Sequence, residues 1–192
     1  MQSNEKSPFL RAVKLLLAAL LLGGVWWGWY SWEERAERPV EAVKVGKRAM
    51  EFSATSQEML QGDALALATS PPVPTLLHFW GTWCGPCVAE LPELLELARS
   101  WKGIRVVAVA MDDRAAVDKF IQRHPKLADM GNHMKVVLDP QGRIADLYQV
   151  TRFPETFLIN RQFLVDNRFV GPQPWLSKAM RPYLGRIQED PK

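Results

Sequence analysis

Cys84 and Cys87 are the only cysteines in the chain, and Gly85-Pro86 separates them. Two thiols at this spacing can close a disulfide across a single helical turn without distorting the backbone. They can therefore cycle between dithiol and disulfide. Two other uses of such a pair are half of a zinc site and a static crosslink. Structural zinc takes four ligands, usually from two pairs of this kind, and the chain has one pair. A static disulfide closing so short a loop restricts the unfolded chain little. Redox exchange is therefore the expected chemistry. It needs a thiolate, because the ionised sulfur is the nucleophile.

The flanking residues say how that thiolate is made. Residues 75–80 are an apolar run that reads as a strand buried on both faces. Residues 88–97 are apolar at helical spacing. A strand, a sharp turn and a helix would set Cys84 at the helix N-terminus, where free N–H groups and the helix dipole favour negative charge. Pro86 falls in the first turn, where its missing N–H costs nothing. Cys84 is then the nucleophile on a partner disulfide. Cys87, one turn in and more covered, resolves the mixed disulfide. Glu90 lies one turn past Cys87 on the same face and could take its proton; the other use of such a residue is a solvated helix position. His78 shares a strand face with Leu76 and Trp80. It reads either as a hydrogen-bonded core imidazole or as a proton relay for Cys87. Trp83 reads as a cover for Cys84 and a docking aromatic, Trp80 as core. Asp112-Asp113 reads as a helix cap, and His124 and His133 as surface residues.

Phe79-Trp80-Gly81-Thr82-Trp83-Cys84-Gly85-Pro86-Cys87 resembles the active-site signature of the thioredoxin superfamily. Thr82 and Glu90 make it similar to the membrane-tethered TlpA/ResA/CcmG (DsbE) branch. The resemblance implies an α/β fold: a thioredoxin-like three-layer sandwich with a mixed central sheet, preceded by one N-terminal transmembrane helix. It links Glu90 to the proton handling of the dithiol. It makes Phe153-Pro154 a cis-proline loop beside the sulfurs, with the Phe153 backbone pairing to substrate as an added strand. Pro154-Glu155-Thr156 is similar to the DsbE group, so Glu155 is expected to tune partner choice; its plain reading is an exposed loop acid. Trp83, Gly85 and Pro86 complete the expected substrate surface. His78 departs from the pattern, since thioredoxin has a buried acid there and the branch more usually an Asn. Activity on disulfide-containing proteins is implied, chiefly as a reductant for apocytochrome c or other secreted partners. A membrane electron donor of the DsbD/CcdA kind is implied too.

The chain has 192 residues, 47% of them hydrophobic, enough for one domain plus an appendage. Its net charge of +3 is too small and scattered to argue for nucleic acid. Neither a metal nor a cofactor is expected. Residues 15–32 carry no charge and as a helix would reach about 27 Å, near the hydrocarbon thickness of a bilayer. Trp26, Trp27, Trp29, Tyr30 and Trp32 crowd the far end like an interfacial belt. They stand where a signal peptidase needs small residues, so an uncleaved anchor is expected. The basic flank comes first, which keeps the N-terminus cytoplasmic and sends the rest across an inner membrane into a periplasm or its equivalent. The expected organisation is a stub and anchor over 1–36, a linker over 37–48 and a thioredoxin-like domain over 49–192.

Within the domain, strands are expected at 104–111, 135–138, 156–159 and 163–170, with a possible short strand at 50–53. Helices are expected after Cys87 to about residue 100, and at 115–124, 143–149 and 175–187. Three other functions fit some of these residues. A disulfide-donating oxidase would use the same dithiol in reverse. A copper chaperone would bind Cu(I) through both thiolates and a His, for which His78 looks badly placed. A redox-inactive tether would have no use for the cysteines.

Overall fold

A computed structural model describes residues 43–69 and 73–188, together with Leu17, Gly23 and Gly24. The chain divides into two units, Met1–Glu41 and Ala42–Lys192. Apart from Leu17, Gly23 and Gly24, the expected anchor over 15–32, with its aromatic belt, and the first part of the linker lie outside the described residues. Among the described residues no helix is long and apolar enough to cross a membrane.

The folded unit begins with an irregular segment that holds β1 (Ser53–Ala54) and β2 (Leu65–Ala66), an antiparallel pair. Next come β3 (Thr75–Trp80), α1 (Gly85–Ser100), β4 (Arg105–Ala110) and α2 (Arg114–Arg123). A 3-10 turn at Pro125–Leu127 and a one-turn helix α3 (Met130–His133) lead to β5 (Lys135–Leu138) and α4 (Arg143–Leu147). The chain closes with β6 (Glu155–Ile159), β7 (Val165–Val170) and α5 (Arg181–Gln188). The main sheet runs β5-β4-β3-β6-β7. β3, β4 and β5 are parallel, while β6 and β7 run against their neighbours, so the sheet is mixed as expected.

Every residue of β3 is buried, because helices or loops cover both of its faces. Leu76 and Trp80 point into one core with Cys87, Leu91, Leu94 and Leu95 of α1, Val117 and Phe120 of α2, and Leu184 and Ile187 of α5. Leu77 and Phe79 point into the other, with Ile144 and Ala145 of α4, Tyr148 and the segment ahead of β3. The period-two alternation of one strand thus feeds two cores, which makes the three layers. α2 starts on Asp113, whose Oδ1 accepts the Ala116 N–H at 2.8 Å. Asp113→Ala is expected to cost about 1 kcal/mol, read as a lower denaturant midpoint with unchanged slope.

Three boundaries differ from the sequence reading. The folded unit starts before residue 49: Val43 is buried, and Gly46 and Lys47 exchange backbone hydrogen bonds with Val165. Residues 50–53 yield only the two-residue β1, whose partner β2 had no strand pattern of its own. The closing helix is confined to Arg181–Gln188, and residues 175–180 are turns. Pro182 has no N–H for the carbonyl four residues back, so the helix must start afresh with proline in its first turn.

The segment ahead of β3 also braces the outer strands. Leu60 N–H donates to Val136 O and Leu138 N–H to Glu58 O, along the outside of β5. On the far side Gly46 N–H donates to Val165 O, and Val165 N–H to Lys47 O, at the start of β7.

Candidate active site

β3 ends at Trp80, and the chain turns through Gly81, Thr82 and Trp83 before α1. Asp112, just past β4, clamps this turn: its Oδ2 accepts Thr82 N–H at 2.7 Å and its Oδ1 the Thr82 hydroxyl at 3.1 Å. A Cβ at Gly81 would lie 2.6 Å from the Trp83 ring, so any other residue here would displace that ring. Cys84 N–H returns to Gly81 O, and Cys84 becomes the N-cap of α1. Its Sγ accepts the Cys87 N–H at 3.3 Å. The sulfur therefore sits where the sequence put it, on the free donors of a helix start.

Cys84 and Cys87 form a disulfide, with their Cα atoms 5.3 Å apart. Cys84 retains 7% exposure and Cys87 none, so Cys84 is the sulfur a partner can reach. Gly85 and Pro86 are exposed beside it, with Pro86 in the first turn. Trp83 is 62% exposed and stands edge-on to Phe153, ring centres 5.4 Å apart. The Phe153–Pro154 bond is cis. The two signature stretches, some seventy residues apart in sequence, thus meet at one surface.

Behind the disulfide, Glu90 is buried at 5% exposure, so it is not a solvated helix residue. Its Oε2 accepts Gln173 N–H at 2.8 Å and Trp175 Nε1–H at 3.2 Å, both from the loop after β7. Burial pushes the Glu90 carboxyl up to about 7, against the lowering effect of those two hydrogen bonds; the charge of Glu93 adds to the rise. His78 is fully buried. Its Nδ1 lies 2.9 Å from Thr156 Oγ1, and its Nε2 3.5 Å from Glu90 Oε1. Desolvation drives the imidazole down to about 3, so the ring is neutral.

Glu155 is also buried, not an exposed loop acid. Its carboxylate pairs with Arg168 Nε, and the Arg168 guanidinium lies over the Phe157 ring. By strand alternation Glu155 and Phe157 share the sheet face opposite Thr156, so this pair stands across the sheet from Glu90 and His78. His133 is exposed, whereas His124 is half-buried and stacked on Phe120. Sequence reasoning missed Asp112 as the clamp on the turn, and Gln173 and Trp175 as the covers of Glu90. Nothing local marks those three; each acts on residues 30 to 85 positions away.

The AhpC/TSA family model matches residues 45–168. A thiol-disulfide oxidoreductase ResA of Bacillus cereus is 30% identical over 190 residues, covering 95% of this chain and 98% of that protein. A thiol:disulfide interchange protein DsbE of Xylella fastidiosa is 31% identical, covering 84% of this chain and 78% of its own. The crystal structure of a DsbE-type protein from Chlorobium tepidum superposes with a TM-score of 0.65 at 26% identity, covering 77% of this chain and 100% of that one. With a dithiol on a helix start, a mixed five-stranded sheet and these relatives, the chain belongs to the AhpC/TSA family and, within it, to the ResA- and DsbE-like thiol-disulfide oxidoreductases.

Proposed function

We propose that this oxidoreductase works as a reductant, held by an N-terminal anchor over residues 15–32 on the extracytoplasmic face of the inner membrane. The observation that carries the thiol exchange is the Cys84 sulfur: it caps a 16-residue helix and is the less covered member of the pair. In the reduced protein the Cys84 thiolate attacks a partner disulfide. A bond forms from Cys84 Sγ to one partner sulfur, and the other partner sulfur leaves with the electron pair and takes a proton. Cys87 gives up its proton to Glu90 and attacks Cys84 Sγ. The Cys84–Cys87 bond forms, the bond from Cys84 to the partner breaks, and the partner's second sulfur leaves with that electron pair and takes a proton from water, so the partner departs as a dithiol. Trp83, Gly85, Pro86 and the Phe153–Pro154 segment form the surface against which the partner lies, and Pro154 shields the sulfurs. Glu155 acts on partner choice through Arg168 rather than by touching the partner.

The substrate class is a secreted disulfide protein such as an apocytochrome c. The electrons return from a membrane carrier of the DsbD/CcdA kind. The apolar, uncharged run at 15–32 and its aromatic far end support the anchor and its orientation. Measuring the reduction potential tests the direction. A value near that of thioredoxin, about −270 mV, is expected; one near DsbA, about −120 mV, would make the protein a disulfide donor instead.

A further inference from the structure

Behind the dithiol two buried polar atoms face one another, and the exchange just described uses only one of them. Glu90 Oε2 has its lone pairs engaged by Gln173 N–H and Trp175 Nε1–H. Glu90 Oε1 faces His78 Nε2 at 3.5 Å. Neither of these two atoms has a hydrogen bond to another described residue. Across the ring, His78 Nδ1 meets Thr156 Oγ1 at 2.9 Å. If Nδ1 carries the imidazole proton and donates it to Thr156, Nε2 is a bare acceptor. A carboxylate opposite it would then set lone pair against lone pair in a desolvated place. A single proton on Oε1 satisfies both atoms.

From this juxtaposition we propose that His78, locked by Thr156, is a positioning residue that keeps one proton on Glu90 Oε1 while the disulfide is closed. The couple is thereby a loaded proton donor for the Cys87 sulfur. This rests on the dithiol reading above and deepens it. The groups set against the couple are Glu93 on α1, Thr156 on β6, and Gln173 and Trp175 after β7, with Cys87 one helical turn before Glu90 on α1. Of these only Glu93 has an ionisable side chain while the disulfide is closed. The burial that raises Glu90 and lowers His78 acts in the same sense.

The step balances. A thiolate of the reducing partner bonds to Cys84 Sγ, the Cys84–Cys87 bond breaks, and its electron pair goes to Cys87 Sγ. Glu90 Oε1 passes its proton to that sulfur, one helical turn away, and becomes a carboxylate. In the opposite direction Cys87 returns the proton as it attacks.

Two measurements on the full-length oxidised protein decide the matter. In the first, nitrogen NMR of the His78 ring should show the neutral Nδ1–H form, unchanged as pH falls through about 6.5, the ordinary histidine value. A ring that protonates there, or carries its proton on Nε2, overturns the proposal. In the second, the rate of disulfide reduction by dithiothreitol, divided by the fraction of the reagent present as thiolate, is followed against pH. His78→Asn should move the Glu90 inflexion down by about one unit, a tenfold change in proton affinity. Thr156→Val should move it the same way, by freeing Nδ1, and it serves if the first variant does not fold. An unmoved inflexion overturns the role of His78. A protein whose disulfide is reduced at no pH refutes the dithiol reading instead, and the NMR signal then still decides the proton's place.

Discussion

Cys84→Ser is expected to lose disulfide reduction entirely, while Cys87→Ser is expected to accumulate one partner per molecule as a mixed disulfide. The asymmetry follows from position. Cys84 caps α1 and is the only one of the two sulfurs with any exposure; Cys87 lies beneath it with none. A serine at 84 leaves the remaining thiol out of a partner's reach, and a hydroxyl there is no nucleophile at neutral pH. A serine at 87 leaves the attacking thiolate intact but removes the sulfur that ends the encounter. Non-reducing electrophoresis with a disulfide-bonded partner reads both outcomes. Equal turnover in the two variants, or adducts formed by Cys84→Ser, would refute the assignment.

Glu90→Gln is expected to gain stability over the native protein as pH rises from 4.5 to 7, by about 3 kcal/mol across that interval. In the unfolded chain the carboxyl ionises near 4.5; in the fold burial holds its proton up to about 7. A raised carboxyl contributes its stability fully below 4.5 and loses it as pH climbs through 7, because the unfolded state sheds the proton first. Glutamine can still accept from Gln173 and Trp175, and it cannot ionise. His78 has the opposite slope. Its folded value near 3 lies below the ordinary 6.5, so its contribution is present above 6.5 and is lost as pH falls. Between 4.5 and 6.5 the two slopes cancel in the native protein. Its stability should therefore be level there, while that of Glu90→Gln rises. Denaturant unfolding of both oxidised proteins at several pH values measures the difference, and two parallel curves would place Glu90 in contact with water.

What could be read from the sequence was what neighbours along the chain decide. The apolar run of β3, the turn and the helical spacing after it were enough to read Cys84 on the N-cap of α1, although Asp112 clamps that turn from 30 residues away. The alternation of β3 also put His78 on the side of Leu76 and Trp80. The state of Glu90 was hidden, because its burial comes from Gln173 and Trp175, 83 and 85 residues further on. Trp175 opens a stretch whose apolar spacing reads as helix, and Gln173 lies just ahead of it. Pro182 limits that helix to its last two turns, and the freed chain folds back over α1. Glu155 escaped for a similar reason. An acid after a proline reads as a loop residue until Arg168, on the next strand, is seen to neutralise it.

The strap over both margins of the sheet sets an order on biosynthesis. Residues 46–60 leave the ribosome first among the parts of this unit, yet they are pinned by Val136, Leu138 and Val165, made roughly a hundred residues later. At about 5–20 residues per second the strap waits on the order of ten seconds for its seat. The strap finds its β5 seat first and its β7 seat last, and until then the apolar faces of Phe52, Met59 and Leu67 stay uncovered.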